Sequence, residues 1–184
     1  MGTTLTMAYV VWPRLYVVHA GDSRCYLFRG GRLEQITTDH TMAQQLVERG
    51  VLTPEEAQES RLSHVLWNCL GGNSHELQPE VHKAGLTLGD TLLLCTDGLT
   101  GPLRDQDLIE TLQHDLPAQE TCQRLVSAAN SAGGPDNITV VVARFRDVHH
   151  EQGVAAEYAS ARGGEEVETM VTVAEAGVGV NRRE

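Results

Sequence analysis

Within its first 37 residues the chain carries four short segments rich in Val, Leu, Thr and aromatic residues, separated by tight turn signals. Residues 4–11 and 14–20 flank Trp12-Pro13, and residues 24–29 and 32–37 straddle Gly30-Gly31. β-Branched and aromatic side chains suit the pleated, half-buried surface of a strand. A Gly-Gly pair takes up the positive φ angles of a short hairpin. Four strands in succession with short links argue for an antiparallel sheet, because parallel neighbours need long crossovers.

The period then changes. Met42, Leu46 and Val47 have helical spacing within Thr41–Gly50, and Gly50 is a natural stop. Thr53-Pro54-Glu55-Glu56 predicts a second helix start, with Pro in the first turn and Glu three residues after the cap. A short strand is expected over 64–67, broken by Gly71-Gly72-Asn73-Ser74. Glu80–Leu86 and Thr91–Thr96 read as a strand pair around Gly89-Asp90. Helices are expected at 105–114 and 118–130, with Leu108, Ile109 and Leu112 on one buried stripe and Leu125, Val126 and Ala129 on the other. Ile138–Phe145 is nearly continuous in apolar residues and predicts a central strand.

Composition shifts after Arg146. Residues 147–184 hold Gly, Ala, Glu and Val with weak periodicity and an excess of acidic residues. We read 1–146 as one domain and 147–184 as a flexible acidic tail or linker. His149-His150-Glu151 lies in that tail without a scaffold, and reads as a solvated loop rather than a metal site.

The net charge is −11. An acidic surface repels phosphate backbones and anionic lipid, so neither nucleic acid nor membrane is expected as a partner. The longest apolar runs are far shorter than a membrane span. The first residues have no basic stretch followed by an apolar one, so no secretory signal is read. They match a loose myristoylation pattern, but the residues that follow read as a strand. Cys25, Cys69, Cys95 and Cys122 lack the paired spacing of a zinc or redox motif. Reduced thiols in a cytoplasmic protein are the expectation.

Three aspartates stand where a predicted strand meets a glycine-containing turn. Asp22 lies in Gly21-Asp22-Ser23-Arg24, at a strand-to-strand junction. Asp97 lies in Cys95-Thr96-Asp97-Gly98-Leu99, after an apolar run, and Asp136 lies in Gly133-Gly134-Pro135-Asp136-Asn137, before a strand. Strand ends are rigid, and glycine permits close backbone approach. Carboxylates that converge repel one another unless a cation lies between them. Hard divalent ions take such oxygen ligands. Each motif alone reads as ordinary turn chemistry; it is their joint order that points to metal.

Gly21-Asp22-Ser23-Arg24, Asp39-His40-Thr41, Leu93-Leu94-Cys95-Thr96-Asp97-Gly98-Leu99 and Gly134-Pro135-Asp136-Asn137-Ile138-Thr139-Val140 resemble, in order and separation, the PPM-type (type 2C) protein phosphatases, above all their bacterial branch. The resemblance spans about residues 2–146. It implies an α+β fold of two packed, mostly antiparallel sheets flanked by helices, an αββα sandwich, here incomplete at the N-terminus. It implies hydrolysis of phosphoserine and phosphothreonine in proteins by water activated by two Mn²⁺ or Mg²⁺ ions, with a possible third ion. Carried onto this chain, Asp97 and Asp136 resemble ligands of one core ion, and Asp22 with Asp97 resembles the ligand set of the third. Asn137 and Gly98 would support that shell, and residues 41–75 correspond to the region holding the family's flap. Phosphoproteins made by a serine/threonine kinase are the implied partners.

The family's N-terminal motifs have no counterpart here: no Asp-Gly-Met-Gly-Gly or Asp-Gly-His-Gly-Gly segment occurs. In the family that region supplies the aspartate bridging both ions and a phosphate-gripping arginine. The opening Met1-Gly2-Thr3-Thr4-Leu5 resembles an internal stretch of the family. The catalytic partners of the three aspartates are therefore expected upstream of Met1, and no catalytic residue is assigned within the chain. The chain by itself is expected to be weakly active or inactive. The rival reading is a catalytically dead phosphatase fold used as a binding or regulatory module. A smaller departure is Trp67-Asn68, where the family often has Thr-Arg.

Overall fold

The computed structural model describes residues 2–71, 77–146 and 173–181. Met1 lies outside the described residues. Strands β1 (Gly2–Thr3), β2 (Leu5–Val11), β3 (Arg14–Ala20), β4 (Arg24–Arg29) and β5 (Arg32–Gln35) come first. Helices α1 (Met42–Glu48) and α2 (Pro54–Glu59) follow. Next come β6 (Leu70–Gly71), β7 (Glu80–Gly85), β8 (Thr91–Cys95) and the short α3 (Asp97–Thr100). The chain continues through α4 (Asp105–Leu112), α5 (Ala118–Ser131), β9 (Ile138–Arg146) and β10 (Val173–Asn181). Among the described residues, no helix is long and apolar enough to cross a membrane.

The strands form a three-stranded sheet in the order β2-β3-β7 and a five-stranded sheet in the order β10-β9-β8-β4-β5, with β1 and β6 as a separate pair. Every pairing is antiparallel. The period of two along each strand explains how the sheets stack. Leu15 and Val17 of β3, Cys25 and Leu27 of β4, Leu92 of β8 and Phe145 of β9 meet in one core between the two sheets. The alternate residues Tyr26, Phe28, Leu93, Val140 and Val142 point the other way, onto Leu108, Leu112, Cys122 and Leu125 of α4 and α5. Each such fully buried aliphatic side chain contributes about 1.5–3 kcal/mol. Burial pushes the Cys25 and Cys95 thiols up to about 12, so both stay protonated. The outer face of the three-stranded sheet carries exposed Met7, Tyr9, Val11 and Val81.

Most predicted elements stand where expected, but their partners differ in two places. The first four strands do not make one sheet: β2 and β3 belong to the three-stranded sheet, β4 and β5 to the five-stranded one. Glu80–Leu86 and Thr91–Thr96 do not pair with each other either; β7 pairs with β3 and β8 with β4 and β9. The reason is double-sided burial. Both β4 and β8 are apolar on two faces, which only the middle layer satisfies. Over 64–67 the structure has a single bridge, Thr41 to Leu66, rather than a strand. Residues 147–172, with His149-His150-Glu151, lie outside the described residues. Val173–Asn181, read as part of the tail, is a strand in register along β9. Its Val-Ala-Glu-Ala-Gly-Val-Gly-Val run is poor in strong strand formers, which is why it escaped notice.

An ion pair between exposed Arg29 and buried Asp90 ties the link between β7 and β8 to β4. The Asp90 carboxylate accepts from Arg29 Nε at 2.7 Å and Nη2 at 2.6 Å, and from the Thr87 N–H at 2.7 Å and hydroxyl at 3.1 Å. Burial pushes Asp90 up, but these donors outweigh it and hold the carboxyl below its ordinary 3.8. A depressed folded value adds stability above the unfolded value, and that stability is lost as pH falls through the folded one. Asp90→Asn is expected to cost about 1–3 kcal/mol at pH 7. Urea melts of both proteins should converge below the ordinary carboxylate range.

Candidate functional site

Asp22, Asp97 and Asp136 reach the same rim of the molecule by three routes. Asp22 sits in the Gly21-Asp22-Ser23 link, where the chain leaves β3 in one sheet for β4 in the other. Asp97 is the first residue of α3, directly beyond β8. Asp136 precedes β9, which neighbours β8. Thr96 stitches the two strand ends together: its N–H donates to Thr139 O at 3.1 Å, its hydroxyl donates to Asn137 O at 3.2 Å, and it accepts from the Thr139 N–H at 3.0 Å.

Gly98 sets how closely these ends approach. A Cβ there would lie 2.2 Å from the Asn137 carbonyl oxygen, so only glycine lets α3 rest on the start of β9. The resemblance implied that Gly98 supports the metal shell; in the structure it admits the backbone beside Asp136. Asn137 likewise takes part through its carbonyl, which accepts from Thr96, and it is exposed.

The electrostatics follow from this convergence. Burial raises Asp22 to about 6, and the nearby Asp97 carboxylate is the next cause of that rise. Burial also raises Asp97, with Asp136 as the next cause. Each of these two pairs therefore penalises the doubly charged form, and a cation would relieve that penalty. Oxygen donors of this kind fit a hard divalent ion. Among the described residues, however, no three His, Cys, Asp or Glu side chains are close enough to make a closed ligand set.

Asp22 and Asp97 line a cleft of about 390 Å³, whose other walls include Arg24, Thr38, Asp39 and Thr41, and Ala43, Gln44, Ala57 and Gln58 from α1 and α2; Asp136 lies outside that lining. Thr41 caps α1 by accepting the Gln44 N–H at 3.1 Å, and Thr53 and Glu56 form the expected capping box on α2. Residues 72–76 of the flap-like region lie outside the described residues. Arg24 is committed to the wall: its Nε and Nη2 grip Asp39 at 2.9 and 2.7 Å, and Nη1 donates to the Tyr26 hydroxyl at 3.0 Å. Burial would lower the Arg24 guanidinium, and Asp39 with Tyr26 overturns that and holds it above its ordinary range.

Sequence reasoning missed two participants. Thr96 sat inside a recognised motif with no sign that its hydroxyl is the stitch. His64 is 77% exposed with its Nδ1 4.0 Å from Asp97 Oδ2, and nothing in Ser63-His64-Val65 marks it.

Two antiparallel sheets packed face to face, outer helices and carboxylates gathered where strands end at the rim define a PPM-type phosphatase domain. Residues 5–146 match the family described as Stage II sporulation protein E (SpoIIE), and the chain belongs to that PPM-type family. It is 45% identical over 152 residues to the serine/threonine protein phosphatase PstP of Mycobacterium tuberculosis, covering 83% of this chain and 29% of that protein. The crystal structure of the M. tuberculosis phosphatase PstP/Ppp superposes with a TM-score of 0.74 at 45% identity, over 79% of this chain and 61% of that one. The PstP catalytic domain in complex with two manganese ions gives 0.68 at 44% identity, over 77% and 57%. The chain thus spans less than two thirds of each.

We expect Gly98→Ala to push α3 off β9. Overpacking of this kind costs about 1–3 kcal/mol in denaturant melts, and Mn²⁺ affinity should fall with it as Asp97 is displaced from Asp136.

Proposed function

We propose that this chain supplies part of the metal-binding site of a protein serine/threonine phosphatase acting on phosphoserine and phosphothreonine. The observation that carries this reading is the convergence of Asp97 and Asp136, locked by Thr96 and Gly98, with Asp22 beside Asp97. The relationship to PstP, with its manganese-bound catalytic domain, supports it.

Asp97 and Asp136 would hold one Mn²⁺ or Mg²⁺ ion of a two-ion core, and Asp22 with Asp97 a third. When bound, such ions lower the pKa of a water and neutralise charge building on the phosphoryl group. The residues of this chain bind and orient. The Thr96 stitch keeps the two carboxylates from drifting apart, and α1 and α2 wall the cleft where the phosphorylated segment would lie. Substrates would be the products of a serine/threonine kinase, and the setting the cytoplasm.

Because no Asp-Gly-Met-Gly-Gly or Asp-Gly-His-Gly-Gly segment with the family's bridging aspartate occurs in this sequence, we expect the 184-residue chain alone to turn over weakly or not at all. The test is Mn²⁺-dependent phosphate release from a phosphothreonine peptide, by the chain alone and by the chain fused behind an Asp-Gly-Met-Gly-Gly-containing segment. The fusion should be active, and Asp97→Asn in it should lower the rate about a hundredfold or more. Silence of a folded fusion would favour the binding-module reading.

A further inference from the structure

We propose that His40 is a positioning residue for Asp22: its ring and its backbone amide together grip Gly21 and so hold the turn that presents the Asp22 carboxylate. This rests on the reading of Asp22 as a metal ligand.

The need for such a grip comes from the path of the chain. Only Gly21, Asp22 and Ser23 separate β3 in one sheet from β4 in the other. Gly21 has φ +121°, and a Cβ there would lie 2.3 Å from the Thr4 side chain. A residue in that conformation has no strand partner, so its peptide groups must be satisfied from outside the sheets.

His40 satisfies both. The Gly21 N–H donates to His40 Nδ1 at 3.1 Å, and the His40 N–H donates to Gly21 O at 2.8 Å. On the other side of Asp22, the Thr6 hydroxyl donates to Ser23 O at 2.8 Å and the Thr4 hydroxyl lies 2.9 Å from that of Ser23. Asp22 is thereby pinned at both flanks, while its carboxylate stays clear of these bonds.

The network also assigns the tautomer. Asn68 Nδ2 lies 2.8 Å from His40 Nδ1, so that nitrogen faces two N–H donors and carries the lone pair. The proton is then on Nε2, which lies 3.2 Å from Glu80 Oε1 but is not aligned for a hydrogen bond to it. The ring cannot swing, since it is 1% exposed and lies between His19, at 4.7 Å, and Trp67, at 4.9 Å, between ring centroids.

The same residue reaches the cleft wall. Its carbonyl accepts the Trp67 N–H at 3.0 Å, and its chain neighbours Asp39 and Thr41 both line the cleft. Asn68, which fixes Nδ1, is itself held by Gln78 O at 2.7 Å. His40 therefore registers the Asp22 turn against the wall on which α1 begins. Trp67-Asn68, a departure from the family pattern, here gains a role in seating this ring.

The test is Mn²⁺ titration of the full 184-residue chain, followed by the free-ion EPR signal, with thermal melts on every variant. Asp22→Asn should remove one class of Mn²⁺ site. His40→Leu and His40→Gln should weaken that class about tenfold or more and leave the Asp97/Asp136 class unchanged. His40→Asn puts an amide oxygen near the place of Nδ1 and should restore binding to near wild type. The Gln and Asn variants are both polar, so their contrast decides the matter even where His40→Leu does not fold. Wild-type Mn²⁺ binding by folded His40→Gln would overturn the proposal, as would equal loss in both polar variants. Unchanged binding in Asp22→Asn would overturn the ligand reading of Asp22 itself, and the proposal with it.

Discussion

Everything at the acidic rim depends on how closely two strand ends can approach. The Asn137 carbonyl oxygen occupies the place where a side chain on residue 98 would begin, 2.2 Å from an ideal Cβ. Glycine there lets the first turn of α3 rest on the start of β9. Thr96 completes the contact by giving and taking hydrogen bonds across the same gap. Neighbouring strands already lie about 4.8 Å apart, so this junction turns sheet spacing into carboxylate spacing. Asp97 and Asp136 are brought together by backbone packing, not by any attraction between them.

That packing acts against electrostatics. Burial and mutual proximity raise Asp22 and Asp97, so the charged site is costly as it stands. A site that is rigid and short of positive charge is poised for a cation. The charges nearby that are already balanced behave differently. Arg24 and Asp39 complete each other in the cleft wall, and Arg29 and Asp90 do so at the far end of the sheets. Those pairs brace the architecture and leave the rim carboxylates unneutralised.

Much of this was legible in the residues. The strand runs, the helix stripes through Leu108 and Leu125 and the Thr53 capping box are local patterns, and local patterns survive folding. The three aspartates were recognisable because each stood at the junction of an apolar run and a turn. What sequence could not supply was partnership. A short link such as Gly21-Asp22-Ser23 reads as a hairpin turn, yet it carries the chain between sheets, because β4 is apolar on both faces and must enter the middle layer. Gly98 and Thr96 were visible as motif letters, but their work lies across 41 residues of chain, between Thr96 and Asn137. The strand at Val173–Asn181 was missed for the opposite reason: weak strand formers borrow their conformation from β9.

The most direct measurement is anomalous diffraction from crystals soaked in Mn²⁺. We expect a peak at the rim, with oxygens of Asp97 and Asp136 within about 2.0–2.6 Å of it. Peaks confined to other surfaces at saturating Mn²⁺, with these two carboxylates uncoordinated, would contradict the claim that packing at Gly98 builds a metal site.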